Sequence, residues 1–67
     1  MNGFMKGFIV VHDAAWSKRV TIIRKKSIMS IAETLSGNAL IVYGNDVVVE
    51  TSEYFEDVIR LMQKEAL

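Results

Sequence analysis

Of the side chains able to move a proton or hold a metal, the sequence offers one histidine, His12, followed directly by Asp13. A histidine base needs its orienting carboxylate within hydrogen-bond reach, and adjacent residues of an extended strand point to opposite faces. His12 and Asp13 therefore read as strand-end residues rather than as a dyad. The serines, at 17, 27, 30, 36 and 52, fall in turns, a strand and a helix start, and none stands in a nucleophile-elbow or Ser-x-x-Lys context. Glycines 3, 7, 37 and 44 are too scattered to cradle a phosphate. With no cysteine and a single histidine, thiolate and multi-histidine metal sites are excluded. No catalytic, cofactor-binding or metal-binding residue is expected, and the chain reads as a non-enzyme.

One constellation has functional character. Lys18, Arg19, Arg24, Lys25 and Lys26 gather around one apolar run, and Trp16 lies in the segment before it. Together these six residues form the candidate interaction surface. Trp16 reads as packing over a hairpin end or as marking a protein contact, since tryptophan is enriched in interface anchors. Basic groups beside an aromatic also grip single-stranded nucleic acid, which gives an RNA-binding regulator as the alternative reading. Formal net charge is zero, which argues against nonspecific attraction to a polyanion. That neutrality conceals a polarised chain. Residues 1–26 hold six Lys/Arg and one Asp, whereas residues 27–67 hold two Lys/Arg and seven Asp/Glu.

These residues must be positioned by short elements. Valine and isoleucine supply 15 residues, mostly in five runs separated by polar or glycine-containing breaks, a pattern that favours strands. The runs are 8–12, 19–24, 28–34, 39–43 and 47–50. Gly44-Asn45-Asp46 is the best local hairpin signal. From Ser52 the period becomes helical, with Phe55, Val58, Ile59, Met62 and Ala66 on one side. Thr51 or Ser52 is suited to cap this helix, and Glu56 with Arg60 forms an i,i+4 pair. The expected fold is α+β: an antiparallel five-stranded twisted sheet, a β-meander with barrel-like closure as its variant, followed by one C-terminal amphipathic helix. Residues 1–7 read as a flexible N-terminal extension and 8–67 as the single domain.

Several runs do not alternate. Residues 9–11, 40–43 and 47–49 place bulky apolar groups on both faces of the sheet. A single helix of about four turns covers only one face. Leaving several valines and isoleucines in water forgoes several kcal/mol at ~25 cal/mol per Å², comparable with the whole stability of so small a domain. A second copy is the expected cover for the other face, a dimer being the favoured homo-oligomer, with a protein partner of unknown identity beside it. Curling of the sheet on itself is the competing geometry. No apolar run approaches the ~18 residues of a membrane span, and the first eight residues lack the apolar block of an export signal. A cytoplasmic location is the expectation.

The order of features resembles the FlbD-like small proteins. The residues that carry the likeness are the opening Phe8-Ile9-Val10-Val11, the second strand 19–23, Ile28-Met29-Ser30-Ile31, and the close from Val49-Glu50-Thr51 into the acidic helix start 53–59. The resemblance spans residue 8 to about residue 62. It implies a short bacterial chain tied to flagellar and swarming motility, or a phage look-alike without an assigned role, with no catalytic residue. Two features depart from the family pattern: Tyr43-Gly44-Asn45-Asp46 replaces an Asn-Gly turn, and three extra residues separate Glu50 from the helix. The five-strand-plus-helix layout is also similar to that of CsrA-type RNA regulators, which are intertwined dimers. The Leu-Thr-Arg opening and basic last strand of that family are absent here.

Overall fold

The apolar runs become strands β1 (Phe8–Asp13), β2 (Arg19–Arg24), β3 (Ile28–Glu33), β4 (Asn38–Tyr43) and β5 (Val47–Tyr54), followed by helix α1 (Phe55–Gln63). The computed structural model describes residues 6–64. The expected extension at 1–7 therefore lies outside the described residues except for Lys6 and Gly7, and Ala66 lies outside them as well. Among the described residues no helix is long and apolar enough to cross a membrane.

Turn chemistry sets the hairpins. Between β1 and β2 the Asp13 carboxylate accepts from Ala15 N at 2.9 Å, Lys18 N donates to Asp13 O at 2.9 Å, and Ser17 and Lys18 take φ of 54° and 62°. At the β4–β5 turn Gly44 and Asp46 take φ of 59° and 61°, a left-handed pair that glycine and aspartate tolerate better than most residues.

All pairing is antiparallel, in the order β2-β1-β5-β4-β3. The sheet is open, with β2 and β3 at its edges, so barrel-like closure does not occur. The meander order holds from β3 to β5 but is corrected at the other end: β1 lies beside β5, and β2 does not pair with β3. The reason lies in the turn Lys25–Ser27, where Lys25 N donates to Gly7 O and Ser27 O accepts from Gly44 N. Anchored to two separate strand ends, this turn directs β3 away from β2.

The core is Ile9, Val11, Ile23, Ala39, Ile41, Val49 and Val58, with Ile28, Ile31, Tyr43, Leu61 and Met62 packed around it. Strand alternation places these residues on one face, under α1. The helix differs from its sequence reading in four ways. β5 runs four residues beyond Glu50, so α1 starts at Phe55, with Tyr54 as its N-cap and no side-chain cap bond. Thr51 and Ser52 are strand residues: the buried Thr51 hydroxyl lies 3.0 Å from Ala39 O and 3.1 Å from Glu53 O, and Ser52 Oγ donates to His12 O. Val58, Leu61 and Met62 make the core contact, whereas Phe55 and Ile59 are half-buried flanks. Arg60 pairs with Asp57 one turn back, in place of Glu56.

Candidate functional site

The hairpin β1–β2 carries most of the residues singled out by type. Its register pairs Ile9 with Ile23 and Val11 with Thr21 on the core side, and Val10 with Ile22 and His12 with Val20 on the other. Only Ile23 of the six β2 residues is buried. Val20 and Ile22 stay 58% and 53% exposed, because α1 covers the opposite face. In the three-stranded part of the sheet the same pattern recurs: Val42 pairs with Val48 away from the core, and Val48 is 59% exposed. The non-alternating runs thus do place apolar groups on a face that nothing among the described residues covers.

A cleft of about 530 Å³ lies between the hairpin and the end of β4 and β5. Asp13, Trp16 and residues 19–22 form one wall, and Tyr43 with residues 47–49 forms the other. Nine large apolar side chains are exposed among the described residues. Five of them, Trp16, Val20, Ile22, Val47 and Val48, meet in this cleft. Apolar exposure is therefore gathered rather than scattered, the condition under which it marks a contact site.

The six residues of the candidate surface do not form one patch. Trp16, Lys18 and Arg19 sit at the hairpin tip, where the Arg19 guanidinium lies 5.3 Å from the Trp16 ring centre. Arg24, Lys25 and Lys26 lie at the far end of β2, five strand steps or roughly 17 Å away. There the Arg24 guanidinium lies 5.5 Å from the Phe8 ring centre. Lys25 Nζ donates to Lys64 O at 2.8 Å, beside the C-terminal end of α1, where a cation is favoured by the helix dipole. Three of the five cations are thus engaged by the chain's own groups. Both arginines remain exposed and are held in place by a ring.

His12 does have a carboxylate partner, and it is Glu53 rather than Asp13. Glu53 Oε1 accepts from His12 N at 2.9 Å, and Glu53 Oε2 accepts from His12 Nδ1. The pair lies at the seam between β1 and β5, where the ladder is reduced to the single register pair Asp13 and Thr51. Glu53 fills the opening with its side chain, and Ser52 Oγ adds a bond to His12 O at 3.4 Å. The arrangement ties two strands together. A spacing of 41 residues hid this pair from any local pattern, and Val47, Val48 and Tyr43 were signalled only by the absence of alternation.

Among the described residues no group of His, Cys, Asp and Glu is placed to hold a metal ion. No family model matches the chain, and neither a curated protein nor a solved structure does.

Proposed function

We propose that the protein is a non-enzymatic interaction module that works as a homo-oligomer, a second copy lying over the sheet face opposite α1. The observation that carries this reading is the pair of uncovered cross-strand contacts, Val10 with Ile22 and Val42 with Val48, on that face. Full burial of a valine or isoleucine contributes about 1.5–3 kcal/mol, so half-exposed groups of this kind leave a real driving force for association. Charge favours a copy of the same chain as the cover. Alternation puts Arg24 at the hairpin end of this face and Glu50 on β5, both exposed. A two-fold contact that sets the hairpin of one copy on β4 and β5 of the other brings Arg24 toward the partner's acidic strand and orients the pair. The FlbD-like pattern supports the non-enzymatic part, since that family brings no catalytic residue, and it suggests motility or phage context. The RNA alternative draws no support from basic groups divided between two ends of β2.

The test is sedimentation of the wild-type chain with Ile22→Glu and Val48→Glu variants. The wild type sediments as a dimer at micromolar concentration, and each variant as a monomer with an unchanged far-UV circular dichroism spectrum. A wild-type chain that stays monomeric at millimolar concentration overturns the proposal.

A further inference from the structure

The two edges of the sheet are not equivalent. Lys25 N donates to Gly7 O at 2.8 Å, in the register that pairs Phe8 with Arg24. Residues 7 and 25, 9 and 23, 11 and 21, and 13 and 19 are therefore the bonded pairs of this antiparallel ladder. It follows that the N–H and C=O groups of Val20 and Ile22, and the N–H of Arg24, point outward along the free side of β2, the Arg24 C=O being taken up as N-cap of the turn Lys25–Ser27. Natural sheets blunt such an edge with proline, a bulge, a cover or charged side chains; β2 has the last only at its two ends, Arg19 and Arg24, with none between them. The chain has no proline, the β1–β2 register runs without a shift, and β2 has no second strand partner among the described residues. The other edge is different, because a register shift between Ile28 and Ser30 interrupts β3.

Charge selects what this open edge would take. From residue 14 to residue 32 the chain holds five Lys/Arg and no Asp or Glu. An arginine stands at each end of β2, steered by Trp16 at one end and Phe8 at the other. They stand five positions apart, so they point to opposite faces. Between them, Thr21 shares its face with Tyr43 and Val47 across the cleft, which leaves space for the side chain of an added strand.

We infer that the free edge of β2 is a strand-addition site for an extended segment of a partner protein that carries two carboxylates five residues apart, one for each arginine, with β-branched residues between them. Main-chain bonds to residues 20, 22 and 24 supply affinity, and the two ends supply register. Another copy of this chain fits the edge poorly. Two β2 strands paired antiparallel through their outward residues, Ile22 against Ile22, set Arg19 against the other strand's Lys25 at both ends, and β3 offers a bulge and one carboxylate, Glu33. The site uses the sheet edge rather than the face proposed for the dimer, with Arg24 bordering both.

The experiment uses the full chain and a capped Asp-Val-Thr-Val-Thr-Asp peptide, read by the fluorescence of Trp16, the sole tryptophan, and by amide hydrogen exchange. Binding slows exchange at Val20, Ile22 and Arg24, while residues 21 and 23 are protected with or without peptide. N-methylation of one alternate set of peptide amides weakens binding by about tenfold or more, and of the other set by no more than about twofold, since only one set faces β2. A chain carrying Arg19→Glu and Arg24→Glu loses the acidic peptide and takes a Lys-ended one instead. No binding, or equal loss from both methylated sets, overturns the inference. So does displacement of the peptide by a charge-matched RNA oligonucleotide bound in its place with the same arginine dependence. Concentration-dependent protection of residues 20, 22 and 24 without peptide identifies a second copy as the occupant and likewise overturns it.

Discussion

The β1–β2 hairpin and the unit formed by β3, β4, β5 and α1 draw on similar residues and end in different physical states. In the larger unit Ala39, Ile41, Val49, Thr51 and Val58 are all buried, because β4 and β5 lie side by side beneath the helix. In the hairpin only Ile9, Val11 and Ile23 are buried, and its outward valines and isoleucine meet water. A helix of nine residues is about 13 Å long; it lies mainly on β4 and β5 and reaches the hairpin through β1 with less contact. The hairpin is therefore held by one face and by side-chain pins at the β5 seam, and it is also the part that presents an open edge, a cleft wall and two steered arginines. Weak internal covering and availability for partners have the same cause.

The largest effect is expected where the larger unit is most closed. Val58→Asp places a carboxylate at a fully buried site with no partner, a change expected to cost about 4 kcal/mol or more. For a domain of this size that abolishes folding, seen as loss of the cooperative urea transition. Ile59→Asp, at a half-buried flank, leaves a measurable transition.

Within the hairpin, neighbouring residues sharpen the contrast. Ile23→Ala removes a buried side chain and is expected to cost about 2–4 kcal/mol. Ile22→Ala, on the exposed face of the same strand, is expected to stay within about 0.5 kcal/mol in the monomer. Equal shifts in the urea midpoint would mean that the two faces of β2 are equally covered, and the comparison drawn above would collapse.

Much of this division could be read in the residues. The five apolar runs marked the strands because β-branched residues cluster there, and the lack of alternation in residues 47–49 announced an uncovered face. The helix start misled because Thr51, Ser52 and Glu53 have the composition of a cap. Their oxygens serve other strands instead: Thr51 reaches Ala39 O, Ser52 reaches His12 O, and Glu53 accepts from His12. Such contacts are set by the adjacency of β1 and β5, which joins residues about 40 apart and leaves no local trace. The same adjacency moved the open seam of the sheet to lie between β2 and β3. The two ends of the basic cluster were separated by the extension of β2 itself, a consequence visible only once the strand is drawn at its full length.

Glu53→Ala tests the seam. The substitution removes the acceptor of both the His12 backbone and ring N–H groups. His12 is partly exposed, so water replaces part of what is lost, and a cost of about 1–2 kcal/mol is expected. The local signature separates this variant from a core defect. Amide exchange in β1 and β2 accelerates by more than that in β3 and β4, because the hairpin opens as a unit once its pins are gone. Uniform acceleration across all strands would show that the two regions unfold only together.

The smallest effect is expected on the helix surface, at Asp57 and Arg60. Their side chains are 51% and 69% exposed, and in such a setting the attraction between opposite charges is largely offset by solvation and by the entropy of holding two long side chains together. Asp57 also stands in the first turn, where the helix dipole favours a negative group by a few tenths of a kcal/mol. Asp57→Asn removes both contributions, and the sum is expected to stay below about 1 kcal/mol at low salt. Salt discriminates between this view and a structural role. At ~1 M NaCl, where the screening length falls to about 3 Å, the wild type and Asp57→Asn converge in urea midpoint. A gap that persists at high salt would mean that this ion pair helps to seat α1 on the sheet, and the larger unit would then depend on its surface as the hairpin depends on its seam.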